Sequence, residues 1–211
     1  MLRAGIGLRS CRKLRRLLLP WHLLKSVTVC PLTPMNRLPI WFERKFEFTF
    51  PVDQLPNLCA RLRGTPARLE EIVRYAAREA LIRKPNESEK WSAQEHAGHL
   101  ADLEPLWMAR VDDYFNAAPQ LTKADLTNRK TNEAQHNQRA IEEILPEFRS
   151  DRSQLLNKLA NIGPAIFSRT SLHPRMKIPM RLVDHLYFVA EHDDHHLAYI
   201  WQLIGADRHT K

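Results

Sequence analysis

Apolar residues recur along most of this chain at three- and four-residue spacing, and that period predicts helices. Leu69, Ile72, Val73 and Ala76 mark the inward face of a first helical region over about 52–83, broken near Gly64 and Pro66. KPNESEK then reads as a loop. Ser92 and Glu95 form an S-x-x-E capping box ahead of a second helix, whose stripe is Ala93, Ala97, Leu100, Leu103, Trp107, Val111 and Tyr114. A third helix is expected over about 131–160, with Ile141, Leu145, Phe148, Leu155, Leu156 and Leu159 inward. A loop containing HPRMKIP leads to a fourth, from about Pro179 to Ile204, with proline tolerated in its first turn and Gly205 as its stop. Only KFEFTF, before Pro51, alternates in the manner of a strand, and it reads as an extended arm. Four long helices predict an all-α fold, a four-helix bundle.

Composition sharpens this picture at the N-terminus. The 211 residues, 44% hydrophobic and 27% charged, suffice for one domain with a core. Seven of the 32 basic residues stand in the first 34 positions, where no acid occurs, which leaves 25 basic against 24 acidic beyond them. Seven of the eight net positive charges therefore belong to the leading segment, and the nearly neutral body removes the main support for nucleic-acid binding. Residues 1–34 read as a disordered extension or as an upstream over-extension of the reading frame, with Met35 as a natural start. An export or organelle signal and a membrane-surface arm are the alternatives. Residues 35–211 form the predicted bundle domain. LLLPWHLL is too short to span a bilayer, and no 18-residue apolar run occurs elsewhere. Cys11, Cys30 and Cys59 form no C-x-x-C pair, so a reducing cytoplasm is the expected compartment.

The candidate chemistry lies in EHDDHHLAYI, residues 191–200. On a helix, His192 and His196 stand at i and i+4 on one face and can share a metal ion, while His195 turns aside. The second helix carries EHAGHLADLE, and a facing helix 8 to 10 Å away could supply a further imidazole from His96 or His99. Periodicity does not choose between them. Asp102, Glu104, Asp193 and Asp194 are candidates to orient ligand imidazoles, or else members of a solvated face. His185, seven residues before His192, is expected to be a hydrogen-bonded core residue. Trp107, Tyr187, Tyr199 and Trp201 are expected in the core or on a pocket wall, and the loop cations Arg175 and Lys177 can hold a substrate carboxylate or simply face solvent.

WSAQEHAGHLADLE together with VDHLYFVAEHDDHHLAYI resembles the DinB/YfiT-like superfamily of metal-binding four-helix bundles, whose pattern pairs H-L-x-D-x-E on the second helix with H-x-x-x-H on the last. The resemblance covers about residues 35–205. It implies His99, His192 and His196 as the metal ligands, with His96 and His195 outside the set. It also implies an antiparallel bundle with a long crossover, commonly a homodimer, and activities that include thiol-dependent transfer and isomerisation as well as metal-dependent hydrolysis.

Three imidazoles leave coordination positions open, and an open position on Zn²⁺, Ni²⁺ or Fe²⁺ lowers the pKa of bound water or thiol. The expected function is metal-dependent hydrolysis, or S-transfer with a low-molecular-weight thiol as co-substrate, acting on a small molecule. The alternative is a non-catalytic module in which the metal is a structural clamp or a sensing centre. Asp193, in place of the glutamate of HExxH, argues against a protease. The catalytic residues and the metal's identity are not readable from these motifs.

Overall fold

A computed structural model describes residues 38–85 and 90–205. The expectations for residues 1–34, for Cys11 and Cys30 and for the middle of KPNESEK lie outside the described residues. The elements in chain order are α1 (Leu55–Val73), α2 (Arg78–Ile82), α3 (Ala93–Asp102), α4 (Glu104–Phe115), α5 (Arg129–Glu133), α6 (Ile141–Ala160), α7 (Pro164–Phe167), strands β1 (Thr170–Leu172) and β2 (Pro179–Arg181), and α8 (Leu182–Gly205).

Four boundaries differ from the sequence reading, each for a local reason. α1 runs unbroken through Gly64 and Pro66. Pro66 has no N–H for the carbonyl of Leu62 four residues back, but Arg152 Nη1 donates to that oxygen at 3.1 Å. The second helix instead splits at Leu103, which ends α3 and begins α4, because Pro105 in the first turn of α4 cannot continue the earlier hydrogen-bond ladder. The third helix starts at Ile141, since Asn128 (φ 52°) and Gln135 (φ 51°) take left-handed conformations that divide the preceding stretch into short turns. Pro179 opens a strand, not a helix: Thr170, Ser171 and Leu172 pair antiparallel with Arg181, Met180 and Pro179. The Ser92 cap is as expected, its hydroxyl accepting from Glu95 N at 3.1 Å while the Glu95 carboxylate accepts from Ser92 N at 2.8 Å.

α1, the α3–α4 pair, α6 and α8 make the bundle. α1 packs on α6 and α8, and α3–α4 packs on the same two, so helices consecutive in the bundle face each other diagonally across the α1/α3 and α6/α8 steps. Cross-links give the directions. Glu104 meets Arg152 and Asp112 meets Lys158, so α4 and α6 rise together. His99 lies by His192 and His96 by His196, so α3 and α8 run oppositely, as do α1 and α6, where Leu62 meets Arg152 and Glu70 meets Arg149. The long crossover from α4 to α6 makes a parallel neighbour possible. KFEFTF forms no strand and lies along α8 as an arm, with Phe46 5.3 Å from Phe188 and Phe50 5.2 Å from Tyr187 between ring centroids.

The bundle centre is polar at one place. Arg152, wholly buried, stands in an apolar stripe of α6 with Phe148, Leu155 and Leu159. Its guanidinium donates to Glu104 of α4 (2.6 Å), to Asp193 of α8 (2.5 Å) and to the Leu62 carbonyl of α1, and Thr65 of α1 donates to Asp193 at 2.8 Å. One arginine thus ties all four bundle helices together. Burial pushes Glu104 up to about 7, against the pull of Arg152. Among the described residues no helix is long and apolar enough to cross a membrane.

Candidate metal centre

His99 from α3 and His192 and His196 from α8 are buried, and one nitrogen from each lies within 4.8 Å of the others. The i, i+4 spacing brings Nε2 of His192 to 3.1 Å from Nε2 of His196. That is about the separation of two nitrogens sharing one ion at bonds of about 2.1 Å. Burial is the main cause that lowers all three pKa values, His99 to about 4 and the other two well below their ordinary value. The rings are therefore neutral at pH 7, with lone pairs available to a cation. A divalent ion fits this donor set.

Hydrogen bonds around the trio decide which nitrogen is free. Thr131 donates to Asp102 Oδ2 (2.9 Å), so its oxygen accepts from His99 Nδ1 (3.0 Å), and the His99 lone pair falls on Nε2. Asp102 also takes a hydrogen bond from His136 Nε2 at 2.8 Å. A Cβ on Gly98 would collide with the His136 ring, so the residue beside His99 has to be glycine for this turn to close on α3. On α8, His196 Nδ1 lies 2.8 Å from His96 Nδ1. With the His196 lone pair on Nε2, its Nδ1–H donates to His96, whose own ring stacks on Tyr199 at 5.2 Å. His192 Nδ1 is buried without a hydrogen-bond partner among the described residues, its ring being packed edge-on against Trp41 and Trp107.

The other predicted residues scatter. Among the four acids, Asp102 alone lies on a hydrogen-bond path to a histidine of the trio. Glu104 and Asp193 belong to the Arg152 network, and Asp194 pairs with Arg61 and Arg68 at the periphery. His185 is structural but not hydrogen-bonded as expected: neither ring nitrogen has a partner among the described residues, and Trp107, Tyr114 and Phe188 surround it. Trp107 lines a cavity of about 420 Å³ that opens on the trio, together with His195, Arg175 and Lys177. Tyr187 packs on the arm, Tyr199 on His96 and His195, and Trp201 is 37% exposed. The sequence reading missed Trp41, Phe42, Trp91 and Arg110 on the cavity wall. Arg110 had a legible signal, a cation one turn from Trp107 and Tyr114 on the buried side of α4.

Acid should weaken the metal-free fold. The unfolded chain's histidines take up protons near the ordinary 6.5, whereas folded His96 does so at about 3 and folded His99 at about 4, chiefly because burial disfavours the cation. Between these values the unfolded state binds more protons, so each such histidine removes up to about 1.4 kcal/mol per pH unit as pH falls. Glu104, raised by burial, acts in the opposite sense between about 7 and 4.5, but it is one group against several. Urea midpoints of chelator-treated protein should fall steadily from pH 7 to pH 5. A flat profile would contradict the buried neutral histidines.

The profile of the DinB superfamily matches residues 61–200. No curated relative matches the chain. Among solved structures, the chain is similar to YfiT from Bacillus subtilis, described as a probable metal-dependent hydrolase with an unusual four-helix bundle topology. The TM-score is 0.64 at 21% identity, covering 76% of this chain and 91% of that one. It is also similar to the mycothiol-dependent maleylpyruvate isomerase, with TM-score 0.56 at 9% identity, covering 71% of this chain and 60% of that longer one. At these identities the likeness concerns the fold.

Proposed function

The chain belongs to the DinB superfamily, and on that footing we propose that His99, His192 and His196 hold one divalent metal ion for chemistry on a small molecule in the adjoining cavity. The observation that carries this reading is the count and placement of donors. Three neutral imidazoles converge on the wall of the cavity, and no fourth histidine, cysteine or carboxylate joins the group among the described residues. A closed structural site would be expected to supply four protein ligands. Bound there, a divalent ion supplies Lewis-acid chemistry and lowers the pKa of a coordinated water or thiol.

The chain's own residues do the rest. Thr131 and His96 hold two of the imidazoles in the tautomer that presents a lone pair. Asp193, enclosed by Arg152 and Thr65, is withheld from the role of general base that a carboxylate next to the first histidine takes in HExxH proteins. Trp41, Trp91, Trp107 and Phe188 make an apolar wall that limits water around a substrate. Hydrolysis and thiol-dependent S-transfer both use such a site, and YfiT and the mycothiol-dependent isomerase motivate one each. A homodimer is part of the same proposal, by resemblance.

Two measurements test this reading. Activated esters and amides, and electrophiles offered with low-molecular-weight thiols, should be turned over only by metal-loaded protein, with loss on chelation and recovery on adding back Zn²⁺ or Ni²⁺. Turnover unaffected by chelation would refute it. Thr131→Val, which keeps the volume but removes the acceptor for His99 Nδ1–H, should weaken Zn²⁺ binding about 10- to 100-fold in a chelator competition. Unchanged affinity would remove Thr131 from the account.

A further inference from the structure

The cavity that the three histidines line is also lined by Arg110, Lys123, Arg175 and Lys177, with Asp125 as the acid among them. The Asp125 carboxylate is engaged locally, accepting from Thr127 N, Thr127 Oγ1 and Arg129 N. Among the described residues neither Arg110 nor Arg175 has a carboxylate at ion-pair distance. Arg110 is 2% exposed, and its Nε donates to the Thr122 carbonyl at 2.9 Å. Arg175 lies over the Phe42 ring, 5.1 Å from its centroid, and its Nη2 is buried with no hydrogen-bond partner.

His173 makes the arrangement more specific. Its Nδ1 accepts from the backbone N–H of Met176 at 3.1 Å, so the neutral ring carries its proton on Nε2. That Nε2–H faces Arg110 Nη1 at 3.4 Å. Two donors confront each other with no acceptor between them. The β1–β2 turn fixes this geometry through backbone bonds from His173 N to the Ile178 oxygen and from Lys177 N to the His173 oxygen, both 2.9 Å, with Lys177 held at φ 58°. Burial is the main cause that draws Arg110 down to about 10, only partly offset by Tyr114 and Asp113, and it lowers Arg175 as well. Both remain cations at neutral pH, Arg110 buried and Arg175 half-buried, with no carboxylate in ion-pair contact among the described residues, a costly state that a bound anion relieves.

Building on the metal reading, we propose that Arg110, His173 and Arg175 form a carboxylate-binding subsite, so that the substrate class is a small carboxylic acid whose anionic end lies on this side and whose reactive end faces the three histidines. Trp107 borders both groups, 5.6 Å from the His192 ring and 5.5 Å from Arg110 Cζ. The body of the ligand lies along the aromatic wall, where Trp41 and Phe42 complete an apolar channel suited to a flat or unsaturated carbon skeleton.

Benzoate and its neutral isostere benzamide are the probes, with tryptophan fluorescence or calorimetry as the readout. Both are titrated into metal-stripped and zinc-loaded protein. Benzoate should bind at least about tenfold more tightly than benzamide, and Arg175→Met should remove that preference, since charge-assisted hydrogen bonds contribute at this level. Arg175→Lys should restore part of it. Circular dichroism verifies that the loop variants fold. Equal binding of the two probes, or a preference untouched by Arg175→Met, overturns the subsite. If the parent fails to bind zinc yet shows Arg175-dependent benzoate binding, the metal reading falls and the subsite stands. If zinc binds normally but benzoate ignores Arg175→Met, the subsite alone falls.

Discussion

Replacing His192 with alanine is expected to abolish stoichiometric metal binding, measured by elemental analysis of protein purified without a metal-affinity tag. His192 presents Nε2 at 3.1 Å from that of His196, and its ring packs against Trp41, Trp107 and His99. Residues that only orient ligands change affinity about 10- to 100-fold, and removing one of three donors should exceed that. His99→Ala and His196→Ala should behave alike. His195→Ala should have a smaller effect, because His195 is outside the group of converging nitrogens and packs on Trp41 and Tyr199. Full occupancy in the His99→Ala, His192→Ala double variant would remove the assignment altogether.

Arg152→Met should destabilise the fold by about 3–5 kcal/mol, seen as a large drop in the urea midpoint and a failure to fold at elevated temperature. The substitution roughly preserves volume but strands Glu104 and Asp193, both buried, and leaves the Leu62 carbonyl opposite Pro66 without a donor. The penalty is therefore that of uncompensated buried charge rather than the worth of the ion pairs themselves. An Arg152→Met, Glu104→Leu, Asp193→Leu triple variant should recover much of the loss, because an apolar replacement of the whole set removes the desolvation cost. A midpoint unchanged in Arg152→Met would show that the network does not hold the helices together.

The bundle and the histidine pair of α8 were legible because both rest on short-range periodicity: the apolar stripes place the helices, and i, i+4 spacing needs only one helix. His99 against His96 was not decidable that way. Both face α8, and the difference lies in what surrounds them, Thr131 and Asp102 for His99 and Tyr199 for His96. The family pattern separated them, and helical spacing did not. Pro66 reads as a break because its lost hydrogen bond is local, whereas the remedy comes from Arg152, 86 positions further on in the chain. Arg152 itself carries a legible signal, a lone cation in the 148, 152, 155, 159 stripe, where an apolar residue is the rule. The hairpin at Pro179 was hidden because a proline ahead of an apolar run looks like a helix start until its pairing partner is known.

The central claim is that the three histidines hold one ion with a position left open to the cavity, and the visible spectrum of the Co²⁺-substituted protein tests it most directly. With one Co²⁺ bound per chain, adding β-mercaptoethanol should produce a sulfur-to-metal charge-transfer band, or raising the pH from about 6 to 9 should shift the d–d bands as a bound water titrates. Metal retention must be verified at each pH, since imidazole ligands release metal in acid. The same additions to the His192→Ala variant should give the spectrum of free Co²⁺. A stoichiometric Co²⁺ complex whose spectrum ignores thiol, azide and pH would contradict the account, and would mark the site as closed and structural.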